Sequence, residues 1–214
     1  MEFLLPLRKL KIIMSRPYSS FRLFLSRTMM RFLWTSLSYV VLILNGAKVS
    51  QGLRVSGGRV LVTNLGILSV GKNVRINSGS SLNYVGGNYH TSLWVSTNGQ
   101  LRIDSGVRMS GVTIVSFEEV TIGSNCYLGG GVCIYDTNFH AIEPLARLSG
   151  SAAAIRSKPV VIGSNCFIGA NSLVMKGVNI GEGATVAAGS VVISDIGAGE
   201  TWGGNPAILI KGGA

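Results

Sequence analysis

Residues 162–197 read IGSNCF-IGANSL-VMKGVN-IGEGAT-VAAGSV-VISDIG, which is six consecutive units of six residues. Each unit begins with an aliphatic residue, and the residue four positions later is small or apolar. The two series are Ile162, Ile168, Val174, Ile180, Val186 and Val192, and Cys166, Ser172, Val178, Ala184, Ser190 and Ile196. A period of six matches neither an α-helix, which repeats about every 3.6 residues, nor a half-buried strand, which repeats about every two. It fits short strands separated by turns, three per coil, and predicts a parallel β-helix.

The repeat continues less regularly towards the N-terminus. Its further members are Ile122, Leu128 and Ile134, with Cys126 and Val132 as their inward partners. Glycine and aliphatic residues recur from about Val49, and Asn83–Thr91 has the composition of an inserted turn. Glycine follows the first position of three units, at Gly163, Gly169 and Gly181. We expect these glycines to supply corner angles that other residues avoid.

A long interruption separates the two regular stretches. Three units complete one coil, so a coil that begins at Ile122 predicts the next at residue 140, yet the pattern resumes only at Ile162. The sequence therefore predicts an excursion loop at about 136–161, and loops on a rigid scaffold are common places for chemistry. His140 lies at its start, with the polar residues Asp136, Asn138 and Glu143 near it in sequence.

Composition and charge narrow the class of protein. The chain has 214 residues, of which 47% are hydrophobic and 13% are charged, and it contains 29 glycines. This content favours one domain with a packed core over a disordered chain. The net charge of +10 lies almost entirely in residues 1–59, whereas residues 60–214 are nearly neutral. A uniformly basic nucleic-acid binder is therefore disfavoured.

The basic N-terminal segment is predicted to be a separate unit, residues 1–48, ahead of a β-helix domain over 49–214. Pro17 suits the first turn of an amphipathic helix that ends near Asn45-Gly46. The predicted apolar face holds Phe21, Leu25, Met29 and Phe32, and Arg27 and Arg31 lie opposite. Its apolar stretch, Phe32–Leu44, is shorter than the roughly 20 residues that a membrane-spanning helix needs.

Two interpretations of this segment stay open. Residues 1–45 either lie on an anionic membrane surface, with Phe32, Trp34 and Tyr39 at the interface, or they form a helical cap over the open end of the β-helix or over a neighbouring subunit. No secretory signal pattern is evident. The expected location is cytoplasmic, peripheral on the inner face of the membrane if the helix binds lipid.

The three cysteines favour a reduced, structural role. Cys126 and Cys166 fall on inward positions, Cys133 lies close by, and no CxxC pair exists. Buried thiols in a reducing compartment are the simplest interpretation, and a zinc ribbon or redox dithiol has little support.

Three stretches carry a resemblance to a known family. They are IYDTNFHAIEP (134–144), PVVIGSNCFIGANSLVMKGVNIGEGATVAAGSVVISDI (159–196) and WGGNPAILIK (202–211). Together they resemble the left-handed β-helix acyltransferases, and within them the maltose/galactoside acetyltransferase group and its relatives that O-acetylate sugars of bacterial capsules and lipopolysaccharides. The close match covers roughly Ile122–Lys211, and residues 1–60 match weakly.

The resemblance implies a homotrimer with active sites between subunits, acetyl-CoA as donor, no required metal, and His140 as the base. It also implies coenzyme contacts near Ala170, Ala188, Ile193 and Lys211. Three features depart from the family pattern. Phe167 stands where a tryptophan is common, Ala187-Ala188-Gly189-Ser190 replaces a GAGS sequence, and the region of the family's substrate asparagine falls near Ser110–Gly111.

The chemistry of the residues agrees with this role. A sugar hydroxyl is a weak nucleophile until a base removes its proton, and histidine suits that task near neutral pH. Asp136 or Glu143 either orients the imidazole of His140 or structures the loop. Because Cys126 and Cys166 are expected to point inward, we predict direct transfer without a covalent acyl-enzyme.

The leading hypothesis is thus an acetyl-CoA-dependent O-acetyltransferase that acts on a sugar or lipid-linked glycan in bacterial surface polysaccharide biosynthesis. Two alternatives remain: an N-acyltransferase acting on an amino-sugar nucleotide, and a non-catalytic trimeric scaffold. A β-helix carbonic anhydrase would need three histidine zinc ligands, and the chain has only His90 and His140.

Overall fold

The computed structural model describes residues 18–79 and 89–213, with side chains from Thr28 onward. In these ranges a long helix, α1 (Tyr18–Leu44), is followed by twenty short strands. A short helix, α2 (Pro144–Leu148), and a 3₁₀ turn (Ala152–Ala154) lie between the twelfth and thirteenth strands. The predictions made for Pro17, the side chains of Phe21, Leu25 and Arg27, and most of the turn at Asn83–Thr91 lie outside the described residues.

The strands form three sheets, which we call the first, second and third faces. The first face contains β1 (Lys48–Val49), β4 (Ile67–Val70), β7 (Gln100–Ile103), β10 (Glu119–Ile122), β13 (Val160–Ile162) and β16 (Asn179–Ile180). The second face contains β2 (Arg54–Ser56), β5 (Arg75–Asn77), β8 (Arg108–Ser110), β11 (Tyr127–Leu128), β14 (Phe167–Ile168), β17 (Thr185–Val186), β19 (Thr201–Gly204) and β20 (Ala207–Lys211). The third face contains β3 (Leu61–Asn64), β6 (Ser92–Val95), β9 (Thr113–Ser116), β12 (Cys133–Tyr135), β15 (Leu173–Val174) and β18 (Val191–Val192).

Consecutive strands pass from face to face, so each set of three makes one coil, and we number these coils 1 to 6 from the N-terminus. Neighbouring coils pair in parallel, and among the strands of the described residues only β19 and β20 pair antiparallel. The predicted left-handed parallel β-helix is confirmed.

The register places like side chains on top of one another in the interior. On the second face, Ile76 lies beside Met109, Leu128 beside Ile168, and Ile168 beside Val186. All twelve residues of the two predicted series in 162–197 are buried. Each coil therefore buries its apolar residues only by stacking on its neighbours, which is why the six-residue period is visible in the sequence.

The expected reason for the glycines is wrong. Gly163 does not have a positive φ; the left-handed corner positions nearby are held by Asn165 and Asn171, at φ 61° and 59°. A Cβ at Gly163 would instead lie 2.7 Å from the backbone nitrogen of Glu182 in the next coil. Gly169 and Gly181 meet backbone atoms of the next coil in the same way. These glycines are required by close approach between coils.

The helix α1 lies against coil 1. The Thr35 hydroxyl accepts a hydrogen bond from the Val55 N–H at 2.9 Å and donates one to the Val55 carbonyl at 3.2 Å. Leu42 is fully buried, and Trp34 packs against the core instead of facing outward with Phe32. The helix thus covers the edge of the first coil, where backbone groups of an edge strand need partners.

The opposite side of α1 is apolar and exposed. It presents Met29, Phe32, Leu33, Leu37, Val40 and Leu44. Nowhere in the described part of the chain is there a helix long and apolar enough to cross a membrane.

Candidate active site

The excursion that follows β12 is fastened to the coil beneath it by Asp136. This carboxylate is fully buried and accepts hydrogen bonds from the backbone N–H groups of Phe117 and Glu118, each at 2.8 Å, and from the Ser116 hydroxyl at 3.2 Å. Hydrogen bonds to a charged acceptor are stronger than neutral ones. The point where the chain leaves the coil is therefore fixed.

The two ends of the excursion also hold each other. Thr137 and Ser157 form an antiparallel bridge. The Asn138 N–H donates to the Arg156 carbonyl at 3.1 Å, and the Lys158 N–H donates to the Asp136 carbonyl at 2.9 Å. The loop leaves and re-enters the β-helix as a paired stem, which limits the movement of the residues just beyond it.

His140 stands at the end of this stem on a tight turn. Phe139 has a φ of 63°, and the His140 N–H donates to the Asn138 carbonyl at 2.7 Å. The Arg147 guanidinium donates to the carbonyls of Ala141 and Ile142, at 3.1 and 2.8 Å, and holds the segment that follows. The backbone on both sides of His140 is thus fixed while its side chain is exposed.

The predicted neighbours of His140 do not engage its imidazole. Within residues 18–79 and 89–213, no hydrogen bond joins the imidazole to Asp136, Asn138 or Glu143. Asp136 structures the loop, which was the other interpretation of this residue. Glu143 forms an exposed ion pair with Arg156 at 3.2 Å.

An aromatic cluster beside the excursion was not foreseen. The Phe139 ring packs edge-on against Tyr135, with centroids 5.0 Å apart, and against Phe117 at 6.3 Å; Phe117 in turn lies 4.9 Å from Trp94. Burial and a hydrogen bond with Cys133 raise the pKa of Tyr135 to about 12. Trp94 and Tyr135 both stand in register with Val115 on the third face. Their separation in sequence hides this cluster from a linear pattern.

The four residues expected to contact coenzyme fall on different parts of one chain. Ala170 and Ala188 follow β14 and β17, at the corner between the second and third faces. Ile193 follows β18, at the corner between the third and first faces, and the excursion with His140 leaves from that same corner. Lys211 ends β20, which is joined to β17 through β19. Within one chain, the corner with Ala170 and Ala188 and the corner with Ile193 and the excursion are therefore separate.

A groove of about 530 Å³ lies on the second face and reaches Ala170. Its lining includes four arginines, Arg31 from α1 and Arg54, Arg75 and Arg108 from the first three coils. This groove was not predicted from the sequence. The signal was present in LRVS (53–56), VRIN (74–77) and VRMS (107–110), where an arginine stands each time between two inward apolar residues.

The cysteines are free thiols, and two of them are buried. The Cys126 thiol donates to the Gly163 carbonyl at 3.0 Å, and the Cys166 thiol donates to the Gly181 carbonyl at 3.1 Å. A side-chain hydrogen bond with Cys166, together with burial, raises the pKa of Cys126. Neither sulfur is exposed to a substrate.

Comparison with known proteins supports the repeat assignment. A family model described as hexapeptide repeat of succinyl-transferase matches residues 159–194. A 2,3,4,5-tetrahydropyridine-2,6-dicarboxylate N-acetyltransferase of Staphylococcus aureus is 38% identical over 91 residues, 42% of this chain and 32% of that protein. A putative acetyltransferase of Saccharomyces cerevisiae is 40% identical over 100 residues, 47% of this chain and 49% of that protein. The chain thus matches about half or less of the length of these curated relatives.

A solved structure extends the comparison to most of the chain. AntD, an N-acyltransferase from Bacillus cereus in complex with dTDP and 3-hydroxybutyryl-CoA, has a TM-score of 0.63 at 19% identity, covering 83% of this chain and 89% of AntD. At that identity the likeness concerns the fold. The resemblance to hexapeptide-repeat acyltransferases is confirmed, and the chain has the left-handed β-helix fold.

Proposed function

We propose that this protein is an acetyl-CoA-dependent O-acetyltransferase that modifies a sugar hydroxyl in bacterial surface polysaccharide biosynthesis, with His140 as general base. The observation that carries the proposal is the state of His140: its backbone is fixed by the stem and by Arg147, whereas its imidazole is exposed and unengaged within the described residues. A rigidly mounted, free imidazole is what proton abstraction from a hydroxyl requires.

In this reaction His140 removes the proton of the acceptor hydroxyl as the oxygen attacks the thioester carbonyl. The imidazolium then returns the proton to the departing thiolate, so the products are an acetyl ester and the free thiol of coenzyme A. The bound donor supplies an activated acyl group. Because Cys126 and Cys166 are buried, direct transfer from donor to acceptor is favoured over a cysteine-linked intermediate.

The corner at Ala170 and Ala188 fits the long, thin pantetheine arm of the donor. Both side chains are small, and a Cβ added at the adjacent Gly189 would meet no atom within 4 Å, so this edge is open. Lys211 is exposed beyond the last coil on the same face and offers a cation to the phosphates. Ile193 would contact the donor from a second copy of the chain.

The proposal requires more than one chain, since His140 and Ala170 lie at different corners. A homotrimer with the site between subunits is therefore part of it. The excursion offers apolar surface for such an interface, because Ile142, Leu145 and Leu148 are 59%, 82% and 84% exposed.

N-acylation of an amino-sugar nucleotide is the second candidate. Acyl transfer to nitrogen is favoured by the match to the Staphylococcus aureus N-acetyltransferase, which is 38% identical over 91 residues. The same base and donor would serve it, so only the acceptor distinguishes the two activities.

The test is thiol release from acetyl-CoA with hydroxyl sugars and amino sugars as acceptors. His140→Ala should lower kcat/KM by roughly 10²–10⁴-fold, the usual contribution of general base catalysis. His90→Ala is the matched control, since the ring of His90 lies 3.5 Å from the Ser78 hydroxyl in another part of the fold, and it should keep activity. Near-normal turnover by His140→Ala would eliminate His140 as the base. Activity on amino sugars alone would select the second candidate. Absence of activity on every acceptor would leave the non-catalytic scaffold as the remaining hypothesis.

We also propose that α1 contacts the cytoplasmic face of an anionic membrane. The support is the exposed apolar side of α1 next to Arg31, while the other side packs on coil 1. Replacing Phe32 and Leu33 by serine leaves that packed side intact and should reduce flotation with phosphatidylglycerol vesicles. The pair Leu65→Ser and Ile67→Ser, which are 61% and 56% exposed on the β-helix, serves as control. Equal flotation of both double variants would favour α1 as a cap alone.

A further inference from the structure

Three arginines form a column on the outer surface of the second face. Arg54 lies directly beside Arg75, and Arg75 directly beside Arg108. Neighbouring strands are about 4.8 Å apart, so the column spans two such steps. All three side chains are exposed. We call these residues the arginine column.

This arrangement carries an electrostatic cost that the fold does not explain. Like charges directly opposite each other on paired strands are destabilising. In the described ranges, the only ion pairs join Arg102 to Asp104 and Arg156 to Glu143, so no carboxylate offsets the column. Among the described residues, its one side-chain partner is the Tyr127 ring, 4.9 Å from the Arg108 guanidinium carbon. Three stacked cations without a counter-charge indicate a place for an anion.

The surroundings of the column are built for hydrogen bonding. Ser56, Asn77 and Ser110 form the next outward column on the same three strands, and they line the same groove of about 530 Å³. The Asn77 amide donates to the Ser110 hydroxyl at 3.3 Å. Arg31 reaches the groove from α1 and adds a fourth cation. The groove therefore combines guanidinium, amide and hydroxyl donors.

We infer that the arginine column binds the diphosphate group of an activated sugar, so that the acceptor is a diphosphate-linked glycan rather than a free sugar. Guanidinium groups pair with phosphate oxygens in a bidentate manner. Two linked phosphates offer acceptors to adjacent arginines of the column at once, which a lone carboxylate does not. The role of this diphosphate-linked glycan as the acceptor rests on the proposed acyl transfer.

The groove also has a direction. The arginines occupy coils 1 to 3, and the same outward column continues with Tyr127 in coil 4 and Phe167 in coil 5. Ala170, a donor candidate, lies at the far end of the groove. A diphosphate held by Arg75 would leave the attached sugar over the two aromatic rings, between the column and the donor corner.

Binding of inorganic pyrophosphate to the full chain, measured by calorimetry without coenzyme, tests the column apart from catalysis. Arg75→Gln, at its centre, should weaken pyrophosphate binding by about tenfold or more, as expected for loss of a charge-assisted hydrogen bond. The matched control is Arg102→Gln, an exposed arginine of the next coil on the first face, and it should bind normally. Arg75→Gln should also melt no earlier than wild type, because removing one cation relieves the stacked charges.

Two further probes distinguish the source of the diphosphate. Uridine diphosphate glucose and farnesyl diphosphate, the latter in detergent, both present the group to the column. Tighter binding of the nucleotide sugar than of pyrophosphate identifies a nucleoside diphosphate carrier. Tighter binding of the isoprenoid, weakened by Phe32→Ser on α1, identifies a lipid carrier. Either result supports the inference.

Three results would overturn it. One is the absence of pyrophosphate binding by wild type at millimolar concentration. Another is a loss in Arg75→Gln of coenzyme A affinity equal to the loss of pyrophosphate affinity, which would assign the column to the donor. The third is a change of oligomeric state in Arg75→Gln without any change in pyrophosphate binding, which would make the column a subunit contact. Failure of acetyl transfer with retained pyrophosphate binding would instead refute the proposed function and leave the column as a diphosphate site.

Discussion

Coils 1 to 3 and coils 4 to 6 build the same interior from sequences that look different. Within each of coils 4 to 6 the inward residues of successive strands are six apart, whereas the earlier coils add residues between strands at several corners. The inward column on the second face nevertheless continues through both, from Val55 and Ile76 to Ile168 and Val186. The fold constrains the inward positions and leaves corners and outward positions free. The two features proposed to bind or act on a substrate are the arginine column and the excursion. Both occur where the strict six-residue period is absent.

The largest expected effect tests whether the two halves are equally well packed. Ile76 and Ile168 are the same residue type, stand in the same inward column and are 1% and 0% exposed. Each substitution by alanine should lower the free energy of unfolding by about 3–4 kcal/mol, the sum of lost transfer energy and the cavity left behind. Urea unfolding of the two variants measures this.

The difference between the losses of unfolding free energy in Ile76→Ala and Ile168→Ala shows whether the two halves pack equally well. A cost at Ile76 well below that at Ile168 would mean that the irregular coils relax around a cavity more easily. In that case the two halves would not be equivalent in packing.

The sequence alone was sufficient to predict the coils of the regular half and the position of the excursion. Ile162 lies beside Ile122 in the next coil. With three strands per coil, this is possible only if some of the residues between them project from the β-helix. The interruption of the six-residue repeat therefore located the loop that carries His140. This inference needs only spacing, because inward aliphatic residues are the same signal in every coil.

The arginine column could not be placed in the same way. Its members are separated by unequal numbers of residues, so the alignment of Arg54 with Arg75 and Arg108 follows only from the strand register. Two of the three partners of Asp136 are backbone N–H groups, those of Phe117 and Glu118, and backbone groups carry no sequence signature. The aromatic cluster around Phe139 depends on the same distant contacts.

The next largest effect concerns the junction between the two halves. Asp136→Ala removes a buried acceptor from the N–H groups of Phe117 and Glu118, and the lost charge-assisted hydrogen bonds should cost about 2–3 kcal/mol of unfolding free energy. Amide hydrogen exchange at Phe117 and Glu118 should accelerate together. The exposed Asp195 accepts one backbone hydrogen bond, from Asn179 at 2.7 Å. Asp195→Ala should cost less than about 1 kcal/mol because water can replace the carboxylate. Equal costs for the two variants would contradict the view that Asp136 anchors the excursion.

The smallest effect asks whether the corners of the two halves obey the same backbone rule. Asn73 in the irregular half and Asn171 in the regular half both adopt the left-handed conformation, at φ 58° and 59°. Alanine at either position should cost about 1 kcal/mol, since its Cβ crowds the backbone there, and glycine should cost almost nothing. Asn179, a strand residue without a positive φ, is the control: there glycine should be the worse substitution, by about 0.5–1 kcal/mol, because it adds freedom to the unfolded chain. Thermal unfolding of the six variants gives the signs. If glycine were tolerated at Asn171 but costly at Asn73, the corners of the early coils would be held by side-chain contacts of Asn73 rather than by its backbone angle, and the two halves would differ at their corners as well as in their spacing.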